Sequence, residues 1–516
     1  MQPKEIRVAL RSLPKTLDET YERILLSIEE EHRQKVVTAL RWITYRQVYH
    51  LTLLELSDAV VIDPKADPPF NPTERLGDPD WLVQILASLV VVSKETVTKE
   101  IEINLAHFSV KEYLESYRIL EGPASVFHMT ANTSHKFLAE SCILYIKCYA
   151  LSEGKTSSKQ DLELYPLLSY ACWYWNIHVQ AVEDPDSSDI SDLILQFLSS
   201  DVVLSSWLSV RYPDDPRRDS FEGDGYEVGT ALYYASLLGL HNVVKILLNS
   251  GTDLNEQTGR YGTALGAAIY GGKIKAVDLL LQSGADVNTV AGEFGTALQI
   301  FFATYNVRDD HILSRLLEAG ADPNIEAGYF GTALQAASSE GTIEHVKLLL
   351  KAGANPNAQA GAFGTALQGA SQRPELEIMK ELLQNGADVD TQTRKYGTAL
   401  QRAAYSGNVD AVKLLLDAGA DVNIVAGKYG TALQAASYGS HYASRTRAVR
   451  QLLDAGADVN RKGGRYGTAL QAALYTTNDE KWKVVKMLLE AGADVTTEQQ
   501  SEIDLLKKEP LEGSGE

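Results

Sequence analysis

Side chains able to do chemistry are present in this 516-residue chain, but their spacing does not assemble a catalytic centre. A phosphate-cradling loop needs Gly-x4-Gly-Lys-Ser/Thr, the first glycine fitting the turn after a strand so that backbone amides face the anion. Gly154-Lys155-Thr156 supplies only the end of that pattern. Tyr149 stands where the first glycine belongs and an apolar, helix-like run precedes it, so the segment reads as a polar loop. Gly439-Ser440-His441 lacks a neighbouring acid in the required order, and neither His-Glu-x-x-His nor Gly-x-Ser-x-Gly occurs. Cys142, Cys148 and Cys172 are too few and wrongly spaced for a disulfide framework or a zinc site. Trp173, Tyr174, Trp175 and His178 are types that bind ligands, but at helical spacing they are more commonly the packing of a bundle. These readings predict a non-catalytic protein with no cofactor and no metal.

Recognition chemistry emerges when the chain is compared with itself. Gly-Thr-Ala-Leu begins at Gly229, Gly262, Gly295, Gly331, Gly364, Gly397, Gly430 and Gly467. Gly-Ala-Asp-Val-Asn, or a near copy, follows each one from Gly251, Gly284, Gly320, Gly353, Gly386, Gly419, Gly456 and Gly492. Most copies are 33 residues apart, and the segment from each Gly-Ala-Asp to the next Gly-Thr-Ala-Leu always counts 11. Extra residues fall only between the two markers, in repeats three, seven and eight, so only one connection tolerates insertion.

In repeat six, Thr398 is placed to cap a first helix carrying Leu400, Ala403 and Ala404. Ser406-Gly407-Asn408 breaks it, and Val412, Leu415 and Leu416, widened by Ala411 and Leu414, form the apolar face of a second. Gly419 sits where a left-handed residue would end that helix. The constant 11-residue segment then forms a hairpin-like finger. Within it the aromatic at Tyr261, Phe294, Phe330, Phe363, Tyr396, Tyr429 and Tyr466 recurs, which suits packing between fingers. The residue before it changes freely: Arg260, Glu293, Tyr329, Ala362, Lys395, Lys428 and Arg465. Change without change of length suggests recognition. Arg394, Lys395, Lys428, Arg461, Lys462 and Arg465 would make a local basic edge on an acidic protein, and with Arg260, Glu293 and Tyr329 they are the expected protein-binding residues. The alternative is a solvated, charge-balanced rim.

A 33-residue period of turn and two short helices resembles the ankyrin family. The wording departs from Thr-Pro-Leu-His: Ala replaces Pro, and Gln replaces His at Gln299, Gln335, Gln368, Gln401, Gln434 and Gln471. A carboxamide donates and accepts, so it is able to tie adjacent repeats together. Tyr233 and Gly266 fill the slot in repeats one and two, where that tie should be absent.

Ahead of the repeats, capping boxes at Thr16-Leu-Asp-Glu19 and Thr52-Leu-Leu-Glu55 open helices, with others from about Gln34 and from Trp81 to Ala87. Two β runs, Leu89 to Val92 and Ile101 to Leu105, precede a helix capped by Ser109-Val-Lys-Glu112. Helices followed by a two-stranded wing suggest a winged-helix domain. The helix that would enter a DNA groove has no Lys or Arg, and Asp78 and Asp80 would repel phosphate. Leu13-Pro-Lys-Thr-Leu-Asp-Glu-Thr-Tyr-Glu-Arg-Ile-Leu25 and Leu105-Ala-His-Phe-Ser-Val-Lys-Glu-Tyr-Leu114 resemble the region after the NTPase in fungal NACHT-type, NLR-like proteins. That resemblance implies a winged helix that closes over a nucleotide, with ankyrin repeats as sensor. His107 would touch the phosphate, or is simply a turn residue before a helix. With no P-loop, the chain is expected to be an NLR-like sensor fragment without its motor, or a regulatory subunit whose base docks onto an NTPase supplied in trans.

The fold class expected is mainly α: a winged-helix domain over residues 1–118, a helical linker bundle over 119–218, an ankyrin-repeat solenoid over 219–500 and an acidic tail over 501–516. Within the bundle, Phe137 to Tyr145 and Leu167 to Trp175 read as amphipathic helices, and Ile503, Leu505 and Leu506 are placed to cover the last repeat. A net charge of −20 argues against nucleic acid as partner, and no run of 18 apolar residues predicts a membrane span. A cytoplasmic protein that binds another protein with an acidic surface fits these features best.

Overall fold

In the computed structural model the described residues are 16–47, 51–94, 101–182, 188–215, 221, 227–303, 309–439, 442–476 and 481–506. The expected turn near Glu95 to Thr98, much of the insertions in repeats three, seven and eight, Ser440-His441 and the tail from Glu509 to Glu516 lie outside them. The chain forms two compact units, Met1–Thr252 and Asp253–Glu516.

Local capping sets the helix starts of the first unit. Thr16 accepts from the Glu19 amide to begin α1 (Leu17–Leu26), and α2 spans Arg33–Tyr45. The Thr52 and Glu55 side chains satisfy each other's amides at the start of α3 (Leu53–Ala59), a complete capping box. Helix α4 (Asp80–Leu86) leads into an antiparallel pair, β1 (Val90–Lys94) and β2 (Ile101–Leu105), with Val90 opposite Leu105 and Lys94 opposite Ile101. The next helix, α5 (Phe108–Glu115), is capped two residues earlier than expected. His107, in extended conformation, accepts the Ser109 amide on its ring Nδ1 at 3.2 Å, so Ser109 lies inside the helix.

Helix α6 (Tyr117–Glu121) is followed by the 20-residue α7 (Ala131–Ala150), against which α9 (Leu168–Gln180) packs, with α8 (Asp161–Leu164) between them. Trp175 is fully buried there, its ring 5.2 Å from Phe197 of α10 (Ser188–Leu198) and 5.7 Å from Trp207 of α11 (Asp201–Val210). The aromatic run in α9 therefore packs the bundle. Asp58, also buried, is held by Arg75 through two bonds of 2.6 and 3.0 Å and by the Tyr145 hydroxyl. The two helices of the first repeat, Ala231–Leu238 and His241–Asn249, pack on α10 within this unit, and the Tyr233 hydroxyl donates to Asp214 at 3.1 Å.

The second unit stacks repeats two to eight, first helix on first helix and second on second. In repeat six, Thr398 and Gln401 form a capping box for Ala399–Ser406, Gly407 ends that helix at φ 70°, and Asn408 caps Val409–Asp417. Ala411, Val412 and Leu415 are fully buried, and Gly419 closes the second helix at φ 90°. A last helix, Thr497–Leu506, buries Ile503. Leu505, expected beside it on the covering face, is 66% exposed, because two positions along a helix turn a side chain to the opposite face.

Candidate protein-binding surface

Several of the side chains that looked able to do chemistry have structural work. Lys155 donates to the Ala150 carbonyl at 3.3 Å and the Ser206 hydroxyl at 2.8 Å. Thr156 and Ser157 wrap the buried Asp161 with backbone and hydroxyl donors. Burial alone would raise Asp161, but the bonds from Thr156, Tyr149 and Ser157 hold its carboxyl below the ordinary value. His107 is a helix cap. His178 is fully buried between Tyr170 and His135, each 2.9 Å away. Cys142 and Cys172 are buried free thiols, and burial pushes both up, away from the reactive thiolate.

In the second unit the invariant residues build a frame. Each Gln at the third helical position accepts the amide of its own capping Thr, and all but Gln471 of the last repeat are seen to reach into the following finger. Gln401 takes the Thr398 amide at 2.8 Å and donates to the Ile424 and Gly430 carbonyls at 2.8 and 2.6 Å. Gln299, Gln335, Gln368 and Gln434 repeat this, so one buried amide caps a helix and ties two repeats. A second ladder runs along the Gly-Ala-Asp-Val-Asn loops. Asn324 donates to the Gly353 carbonyl at 3.0 Å and accepts the Asn355 amide at 2.7 Å. Asn288, Asn357, Asn423 and Asn460 do the same to their neighbours. In repeat five Asp390 stands in that position, accepting the Asp421 amide with no amide hydrogen to give.

The fingers close through short bridges such as Ala291 to Gly295 and Ala426 to Gly430. Gly328, Gly361, Gly427 and Gly464 each adopt φ near 60° and lie against the backbone of the preceding finger, where a Cβ would clash. Arg394 takes that glycine position in repeat six. The finger aromatics stack as expected in part, with Tyr261 and Phe294, and Phe330 and Phe363, each 5.9 Å apart. Between Phe363 and Tyr396 the buried guanidinium of Arg402 intervenes, 5.3 Å from one ring and 3.9 Å from the other, donating to the Phe363 carbonyl at 3.0 Å.

Upon this frame the variable side chains sort into two groups. The Glu293 amide bonds to the Arg260 carbonyl at 2.9 Å, and their side chains form an ion pair at 2.8 Å, so these two neutralise each other. Tyr329 is 57% exposed beside Phe330 and Phe363. Arg394, Lys395, Lys428, Arg461, Lys462 and Arg465 are all exposed. Three of these adjoin through backbone bonds, Lys428 amide to Lys395 carbonyl at 3.4 Å and Arg465 amide to Lys428 carbonyl at 2.9 Å. Among the described residues no carboxylate lies within ion-pair distance of these six cations.

Sequence reasoning missed the tyrosines behind them. Tyr405, Tyr438 and Tyr475, each eight residues after a Gly-Thr-Ala-Leu glycine, interleave with the finger aromatics. Centroids are 4.5 Å for Tyr405 and Tyr429, 5.9 Å for Tyr429 and Tyr438, 4.5 Å for Tyr438 and Tyr466, and 5.3 Å for Tyr466 and Tyr475. Burial and the nearby Tyr438 hydroxyl push the Tyr466 phenol up to about 12. The constant offset was the available signal.

Comparison with known proteins agrees with this frame. Residues 207–291, 353–426 and 400–499 match the family described as ankyrin repeats (3 copies), and residues 331–360 match a single ankyrin repeat. A curated relative, "Azaphilone pigments biosynthesis cluster protein L" of Monascus ruber, is 32% identical over 273 residues, covering 50% of this chain and 57% of that protein. The chain thus spans less than two thirds of that relative's length. The crystal structure of the human ASB11 ankyrin repeat domain aligns with 24% identity and a TM-score of 0.33, over 52% of this chain and all of that one. The sequence period, the capped helix pairs and the family matches converge on the second half of the molecule, and the chain is an ankyrin-repeat protein.

Proposed function

We propose that this chain is a non-catalytic recognition scaffold that receives another protein on its finger edge and the adjoining first helices. The observation that carries this is the division of labour between repeats. The Gln, Asn and Gly positions recur and are consumed by the frame, whereas most of the freely changing side chains, Glu293, Tyr329, Lys395, Lys428 and Arg465, are exposed at one point of their fingers. Charge supports an acidic surface on the partner, since the outward cations of repeats six to eight lack internal counterions among the described residues. The free thiols of Cys142, Cys148 and Cys172 support a cytoplasmic setting.

The test compares proteins captured from cell extract by the full chain and by a variant carrying Lys395→Glu, Lys428→Glu and Arg465→Glu. A partner held by the first and lost by the second is expected; the same bound set on both overturns the finger edge as the contact. The wording of residues 13–25 and 105–114 supports a narrower form of this reading, in which the first unit is the winged-helix base of an NLR-like sensor. Coding DNA upstream of Met1 with an in-frame P-loop would support that form, and its absence there would leave the trans-acting NTPase to be sought.

A further inference from the structure

The finger ladder contains its own control. At Arg260 and Glu293 two neighbouring fingers joined by a backbone bond carry opposite charges, and the side chains pair. At Lys395, Lys428 and Arg465 the same kind of backbone neighbours carry three like charges. Like charges placed directly opposite destabilise paired backbones, and an anion from outside would relieve three that have no carboxylate within ion-pair distance among the described residues. Each cation also lies beside a finger ring: Lys395 by Tyr396 at 4.8 Å, Lys428 by Tyr429 at 5.5 Å and Arg465 by Tyr466 at 5.7 Å.

Polymers that carry adjacent negative charges include acidic peptides and single-stranded nucleic acids. A surface for the second offers open aromatic faces on which bases stack. Here the faces of Tyr405, Tyr429, Tyr438 and Tyr466 are covered by one another at 4.5 to 5.9 Å. What the half-buried Tyr405, Tyr429 and Tyr438 leave to solvent is edge and not face; Tyr405 and Tyr429 share a hydroxyl–hydroxyl bond, as do Tyr438 and Tyr466, so each pair keeps one hydroxyl proton to donate. Hydroxyl donors beside ammonium and guanidinium groups suit carboxylates. Only Tyr475, 71% exposed at the end of the row, keeps much of its surface open.

We propose that repeats six to eight form a slot for an acidic peptide segment, its carboxylates received by Lys395, Lys428 and Arg465 and by the hydroxyl edges of the stacked tyrosines behind them. The slot rests on the recognition reading above and adds to it a location, a partner chemistry and the tyrosines.

The probe is a fluorescein-labelled poly-L-glutamate fragment titrated with the full chain, binding being read by anisotropy at several salt concentrations. The wild type should bind and weaken with salt. Lys395→Glu, Lys428→Glu and Arg465→Glu together should lower affinity at least about tenfold and flatten the salt slope. Tyr429→Phe with Tyr438→Phe keeps the rings and removes one half-buried hydroxyl from each bonded pair, and should weaken binding roughly 2- to 10-fold at unchanged salt slope. Lys347→Glu, an exposed reversal on a second helix away from the fingers, should change nothing. Circular dichroism confirms folding, and Lys428→Ala serves if the triple reversal unfolds. Absence of binding by the wild type, indifference to the charge variants, or equally tight binding of oligouridylate of the same length overturns the slot. Loss of a captured protein partner on charge reversal without poly-L-glutamate binding would discard the slot and keep the scaffold; failure of both would discard both.

Discussion

Asp390 shows how much one atom matters in a repeated frame. Its neighbours in the loop ladder are asparagines that donate to the glycine carbonyl of the next repeat, and a carboxylate has nothing to donate. Burial, with Asp421 and Asp388 nearby, raises its pKa. A raised folded value means that the native state binds the proton more tightly, so the stability Asp390 contributes is full at acidic pH and lost as pH rises through that value. Asp390→Asn should therefore stabilise at pH 7 by about 0.5–1.5 kcal/mol, with the gain shrinking as pH falls through Asp390's raised value and levelling off below the ordinary carboxylate range, as urea midpoints across pH would reveal. His178 has the opposite sign. Burial, then His135, drives it down to about 3, so the unfolded chain takes up a proton first. Stability of the first unit should fall as pH drops below about 6.5, and His178→Gln should flatten that acid slope in melts of the full chain.

At the level of elements, Gln335 and Leu415 test the two forces that hold neighbouring helix pairs. Gln335→Leu leaves the Thr332 amide without its buried acceptor, at a cost of about 1–3 kcal/mol, and takes one donor from the Gly364 carbonyl, which keeps the Ala360 amide at 3.2 Å. Gln471→Leu should cost less, because in the last repeat only the cap on Thr468 is seen among the described residues. Leu415→Ala removes a fully buried side chain between two stacks and should cost about 2–5 kcal/mol by chemical denaturation. These helices were legible in the sequence because eight copies at fixed spacing leave no doubt about register, and the Gln tie followed from the carboxamide's two-way bonding. The His107 cap was not, since His107 and Ser109 compete at the same helix start and only geometry decides. The Arg260–Glu293 pair joins residues 33 apart, and needs the finger stack to bring them together. The tyrosine row needed two separate offsets to be laid side by side. Arg402 was hidden because its place between the rings of Phe363 and Tyr396 exists only once the fingers stack.

In the stack of repeats two to eight, stability is a chain of neighbour interfaces, and cooperativity is set by the poorest of them. Between repeats five and six the asparagine ladder meets Asp390, the close-packing glycine is Arg394, and Arg402 parts the rings of Phe363 and Tyr396. The glutamine tie from Gln368 to Gly397, at 2.6 Å, persists across the same junction. Hydrogen exchange under native conditions should then separate repeats two to five from six to eight as two cooperative blocks, and Arg402→Ala should widen the difference. A single exchange class spanning both would show that the glutamine tie alone keeps the stack cooperative.

The added lengths in repeats three, seven and eight fall between first and second helices, while the 11-residue finger segment never varies. Because most rungs grip only the next through the same amides, unequal crossover within the gene could insert or delete a whole 33-residue module and leave most surviving joints intact. Such a genome can swap the outward letters of its fingers, or lengthen the row that displays them, without redesigning the scaffold beneath.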